Sequence, residues 1–190
     1  MKSCVWGMLQ VTVVGTGLCV LAWFGFGFLI SKIDVGSERR SDCANNLRQL
    51  GLAHHQYAGD SRKALPDSLL AIGPYAAGQT SLLVCPEDVS EAVVKATHWS
   101  ELTAANISYT FVAGGSLGSR EPDQVLMFCD PGAHENDGAN ILYMGGHVEW
   151  HGPYGDRTFW GELARCGIRP EMVAAATNKV IHVDDLEVDP

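Results

Sequence analysis

Ile141-Leu-Tyr-Met-Gly-Gly-His-Val-Glu-Trp150 decides the fold class. Ile141–Met144 and His147–Trp150 are short β-prone runs, and Gly145-Gly146 between them accepts the positive φ that a tight hairpin requires. Alternation puts Val148 and Trp150 on one face and His147 and Glu149 on the other. The chain therefore contains an antiparallel sheet. Upstream, Leu82–Cys85, Ile107–Val112 and Val125–Cys129 are further strand-like runs. Downstream, the pattern predicts a helix around Phe159–Arg165 and another from Pro170 to about Thr177, with proline at its first position.

The sheet needs a cover. Cys43, Leu47, Leu50, His54 and Tyr57 recur at spacings of four and three, which makes one face of a helix. Asn45, Arg48 and Gln56 fall on the other face. Ser41 or Asp42 is placed to cap this helix, Gly59-Asp60 ends it, and Pro66 forbids continuation. Asp67 can cap a short helix from Ser68 to about Ala71. An amphipathic helix followed by mostly antiparallel strands is an α+β layer, with the helix packed on a small sheet.

The N-terminal stretch is different in kind. Between Ser3 and Ser31 there is no Asp, Glu, Lys, Arg or His. Val5–Ile30 exceeds the roughly 20 residues that cross a bilayer as a helix. It also exceeds the about 7–15 apolar residues of a cleavable signal, and no Ala-x-Ala site follows. The sequence reads as a retained single-pass transmembrane anchor at 1–32, a joint at 33–40, a head domain at 41–182 and an acidic tail at 183–190.

The net charge of −9 argues against a nucleic-acid surface and against adhesion to anionic lipid. Cys4 and Cys19 lie in the apolar segment, where a thiol behaves as a small hydrophobe. Cys43, Cys85, Cys129 and Cys166 lie in the head, an even number with three possible pairings. Their wide spacing and the lack of Cys-x-x-Cys argue against a zinc ribbon or a thioredoxin-like site. Disulfides in an oxidising compartment are the expectation. Lys2 faces Lys32, Arg39 and Arg40 across the span, and that count alone would put the head in the cytoplasm. The cysteines point outward, and the head is expected to be extracytoplasmic.

Four pieces of the chain, in order, resemble one family. They are Cys43-Ala-Asn-Asn-Leu-Arg-Gln-Leu-Gly-Leu-Ala53 with His55 and Tyr57; Leu83-Val-Cys-Pro86; Ser108-Tyr-Thr-Phe-Val112; and Gly138-Ala-Asn-Ile-Leu-Tyr143 running into Gly146-His-Val-Glu149. Together they resemble the planctomycete-type pseudopilin-like proteins, which carry a prepilin-like N-terminal helix and a C-terminal motif of histidine, nine residues, then Asp-Gly. The positions that carry the likeness are Asn46, Leu47, Gly51, Pro86, Tyr109, His134, Gly138, Asn140, Gly146 and His147. Two features depart from the pattern. No glutamate stands in Val5–Ile30, where prepilins have one, and ten residues separate His134 from Gly145-Gly146, with glycine in place of the aspartate.

The resemblance implies a pilin-like fold and a structural subunit of an assembly similar to type II secretion or type IV pili. Its partners would be like or related pseudopilin subunits, met through the N-terminal helix, and an inner-membrane secretion platform. It would sit in the bacterial inner membrane, and it implies no enzyme and no cofactor. It also implies a Cys43–Cys85 disulfide, which leaves Cys129 and Cys166 to pair by exclusion.

Other chemistry is weak in the sequence. His147-Val-Glu-Trp-His151 looks like a zinc protease motif, but four residues of strand span about 13 Å, while both histidines must come within about 2.1 Å of one zinc. Asp130, Glu135 and Asp137 crowd one loop with oxygen ligands of the sort calcium takes, although an ordinary turn explains them as well. His54 and His55 are helical neighbours about 100° apart and cannot share a metal. No phosphate loop, nucleophile elbow or dinucleotide fingerprint occurs. Two rival functions are a membrane-tethered hydrolase with a metal at His134, Asp137 and His147, and a monomeric anchored binding module.

Overall fold

A computed structural model describes residues 38–88, 98–115, 119–176, 179–182, 184 and 186. The apolar run at 5–30 and the predicted anchor lie outside the described residues, and no described helix is long and apolar enough to cross a membrane. Arg39–Pro190 forms one compact unit.

Helix α1 occupies residues 38–60. It is already helical at Glu38, so Ser41 and Asp42 lie inside it and do not cap it, and the last residues of the predicted joint belong to the helix. Cys43, Leu47, Leu50, Ala53, His54 and Ala58 are buried along one face, and Asn45, Arg48, Leu52 and Gln56 are exposed. Full burial of each leucine contributes about 1.5–3 kcal/mol. Arg62 and Lys63 turn into the left-handed region, and the Lys63 N–H donates to Ala58 O at 2.7 Å, which closes the last turn.

The sheet has five strands: β1 Tyr109–Ala113, β2 Val125–Cys129, β3 Ala139–Tyr143, β4 Val148–His151 and β5 Val180–His182. Their order is β4-β3-β2-β1-β5. β1–β2, β2–β3 and β3–β4 are antiparallel, and β5 adds to β1 in parallel, so the sheet is mixed. β1, β2 and β3 are buried throughout, as expected of central strands covered on both faces.

The register sorts the faces. Tyr109 pairs with Cys129, Phe111 with Met127, and Met127 with Leu142, so these residues share one side. That side carries α1: a Cβ on Gly51 would lie 3.0 Å from Leu142 Cδ2, and His54 meets Phe111 edge to face at 5.4 Å. Phe128 and Ile141 face the other way. Helix α2, Phe159–Arg165, covers them through Phe159, 5.7 Å from Phe128. A short helix α3 follows at Pro170–Ala175.

Three expectations change in detail. Leu82–Cys85 is no strand: Thr80–Leu83 forms a 3₁₀ turn, and Leu82 and Leu83 are buried from it. The predicted helix from Ser68 is likewise a 3₁₀ turn, Leu69–Ile72. The hairpin turns over three residues, because the Tyr143 N–H donates to His147 O and Met144 belongs to the turn. Only Gly146, at φ 85°, uses the left-handed region.

Candidate metal centre

Four elements converge near the first turn of α1. Cys43 projects from the buried face of the helix. Cys85 follows the Thr80–Leu83 turn, where Asn46 Nδ2 donates to Val84 O at 3.2 Å and ties that segment to α1. Cys129 is the last residue of β2, and Pro131–His134 forms a 3₁₀ turn directly after it. Asp130 caps that turn by accepting from the Gly132 N–H at 3.0 Å.

The ligand atoms of Cys43, Cys85, Cys129 and His134 all lie within 4.8 Å of one another. His134 Nε2 stands 3.6 Å from Cys43 Sγ and 3.5 Å from Cys85 Sγ. The four residues are 0, 1, 0 and 3 % exposed, so the cluster is closed to solvent. A groove of about 560 Å³ along α1, lined by Asp42, Asn46, Val84 and Asp88, has Cys85 in its wall.

The surroundings fix the imidazole. His134 Nδ1 donates to the Glu87 carboxylate, which leaves Nε2 directed at the sulfurs. Trp150 of β4 stands edge-on to the ring at 5.1 Å, and the Arg40 guanidinium lies 4.4 Å above the Trp150 ring. Asn140 Nδ2 donates to Arg40 O at 3.1 Å and holds the start of α1 in place. Tyr109 OH donates to Cys43 Sγ at 3.8 Å.

Thiolate character is concentrated on one sulfur. Hydrogen bonds from Cys129 and Cys85, with further help from His134, hold the Cys43 thiol far below an ordinary thiol, against its burial. Burial pushes the Cys129 thiol well up. Burial opposes a charged His134, yet its contacts with Cys43, Cys85 and Glu87 outweigh that and push it up to about 10.

Residues 37–80 match the model of a protein family of unknown function, DUF1559. That stretch contains Cys43, Asn46 and Gly51 of the resemblance. No curated protein and no solved structure matches the chain.

The structure brings three of the head cysteines together in place of two separate pairs. All four head cysteines are free thiols. Cys43 and Cys85 do meet, but with Cys129 and His134 beside them. Cys129 cannot serve Cys166, which is half-buried elsewhere, with its sulfur 4.0 Å from Asp123 O.

Among the described residues, Asp130, Glu135 and Asp137 do not gather into one ligand group. Asp130 accepts from Lys179 Nζ at 2.8 Å, Asp137 faces Arg40 at 3.7 Å, and Glu135 sits in the left-handed region at the end of the 3₁₀ turn. The hydrolase constellation is also separated. His134 is inside the sulfur cluster, Asp137 is on the surface, and His147 stacks on Tyr143 at 4.5 Å.

A second buried polar group lies on the opposite face of the sheet. His151 Nε2 and Tyr143 OH are 2.8 Å apart, Tyr143 OH donates to Glu162 Oε1 at 3.0 Å, and Arg165 closes on Glu162 at 2.7 Å. Burial works against the Glu162 charge, but Arg165 and Tyr143 hold it below the usual carboxylate range. Every group in it has a partner, so it ties α2 to β3 and β4.

Several residues of the family likeness lie near the cluster, while Gly51 packs against Leu142, and Gly146 and His147 belong to the hairpin. Asn46, Tyr109, His134 and Asn140 all touch the cluster or the elements carrying it. Pro86 follows Cys85, Leu47 lies one turn after Cys43, and Gly138 stands between the His134 turn and β3.

Proposed function

We propose that the chain is a membrane-anchored structural subunit of the pseudopilin type, with an extracytoplasmic head and no catalytic role. The head organisation carries this reading. α1 commits one face to the sheet and keeps a second face, with Asn45, Arg48, Gln49, Leu52 and Gln56, at the surface. The apolar run at 5–30 precedes that helix closely in the chain. An apolar N-terminal segment leading into a helix laid on a small sheet is the layout a fibre subunit needs: the segment packs among its neighbours while the head stays folded. The four-piece resemblance supports it. Among the described residues His134, Asp137 and His147 do not gather into one ligand group, which favours this reading over the hydrolase alternative.

Chemical crosslinking in intact membranes tests the proposal. A ladder of multimers at native expression level is expected. A single monomer band under conditions that crosslink a known neighbour pair would overturn it and favour a monomeric binding module. A reporter active only in the cytoplasm, fused after Pro190, is expected to stay silent; activity would refute the extracytoplasmic head.

A further inference from the structure

We propose that Cys43, Cys85, Cys129 and His134 form a closed tetrahedral zinc site that clasps α1 to the sheet. The inference stands apart from the assembly role, because it rests on the four side chains alone. Zinc takes thiolate sulfur at about 2.3 Å and imidazole nitrogen at about 2.0–2.1 Å in a tetrahedron. Those bond lengths require a sulfur-to-nitrogen separation of about 3.6 Å. The two separations to His134 Nε2 are 3.6 and 3.5 Å.

The donor set selects the ion. Three thiols and one imidazole are soft or borderline ligands that favour zinc over calcium or magnesium. The ligand atoms are all within 4.8 Å of one another, which suits a single ion. A disulfide would use two sulfurs at about 2.05 Å. It would leave a third cysteine and an oriented histidine with no function. The Glu87 bond to His134 Nδ1 is the outer-shell contact that sets the tautomer of a zinc-bound histidine.

Closure defines the role. A catalytic zinc keeps one position for water or substrate, whereas here four protein ligands complete the tetrahedron. The ligands come from α1, from the segment after a 3₁₀ turn, from the end of β2 and from the turn after it. Bound metal therefore crosslinks parts of the chain up to 91 residues apart. Since the unfolded chain does not preform the site, zinc affinity becomes folding free energy.

The test is elemental analysis of the full-length protein, extracted in detergent, freed of loose metal by gel filtration and kept under a thiol reductant. About one zinc per chain is expected. Cys166→Ser, outside the cluster, retains it; Cys129→Ser loses it. Should Cys129→Ser fail to fold, Glu87→Gln keeps all four ligands and is expected to lower zinc affinity about 10–100-fold in a chelator competition. Zinc far below one per chain, with the Cys43 and Cys85 peptides disulfide-linked in the unreduced protein, overturns the proposal. So does zinc that survives both Cys129→Ser and Glu87→Gln unchanged, or a stoichiometric metal other than zinc.

Discussion

Replacing Gly138 by alanine should be among the most damaging single-methyl additions in the head. Gly138 stands between the His134 turn and β3 at φ 124°, where an L side chain is strained; such backbone conformations cost about 1–3 kcal/mol. Its Cβ would also lie 2.2 Å from His151 O and 2.7 Å from Gly152 Cα. Both are backbone atoms, so no rotamer relieves the overlap, and the end of β4 must move off β3 where Ala139 pairs with His151. The two effects together predict a loss above about 4 kcal/mol, in the range reserved for named structural faults. Gly146 provides the control. It has φ 85° with no atom within 4 Å of its Cβ, so Gly146→Ala carries strain alone. Urea denaturation of the full-length chain in detergent, followed by tryptophan fluorescence, compares the two. If Gly138→Ala costs no more than Gly146→Ala, the close approach of β4 is wrong.

Two other substitutions probe the helix and its core. Gly51→Val should destabilise by about 1–3 kcal/mol, as expected for overpacking, because its Cβ position is already 3.0 and 3.2 Å from Leu142. Gly51→Ala should stay within about 1 kcal/mol of the parent, since helix propensity offsets the contact; both are read by thermal denaturation, and equal losses would contradict the packing. His54→Leu should stabilise at pH 7 by about 1–2 kcal/mol, because both ring nitrogens are buried with no hydrogen-bond partner among the described residues. Burial, with His55 and Arg120 nearby, lowers the His54 pKa from 6.5 to about 3. The unfolded chain binds the proton first, so this contribution is intact above pH 6.5 and is lost as pH falls toward 3, at up to about 1.4 kcal/mol per pH unit. His54→Leu should flatten that slope relative to the parent; parallel profiles would refute the assignment.

The sequence displays the covering helix and the sheet with some clarity, because both rest on periodicity. Cys43, Leu47, Leu50 and His54 line the buried face as their spacing requires, and β2, the hairpin and α2 fall where the apolar runs place them. Leu82–Cys85 misleads because a four-residue apolar run looks alike in a strand and in a buried 3₁₀ turn. β5 carries too little signal: Val180–His182 has three residues and takes its place from pairing with β1. The cluster is hidden because its ligands are distant in the chain. Cys129 and His134, five positions apart around a proline and glycine, are its one local pairing, while Cys43 and Cys85 join through tertiary packing. An even cysteine count then suggests disulfides. With three of those cysteines gathered on a histidine, the thiols no longer argue for an oxidising compartment. The extracytoplasmic placement rests on the family resemblance.

X-ray absorption at the zinc edge of the purified full-length chain tests the metal centre most directly. Three sulfurs at about 2.3 Å and one nitrogen at about 2.0–2.1 Å are predicted for the first shell. A first shell of nitrogen and oxygen alone, or a protein with no zinc to measure, would contradict the account.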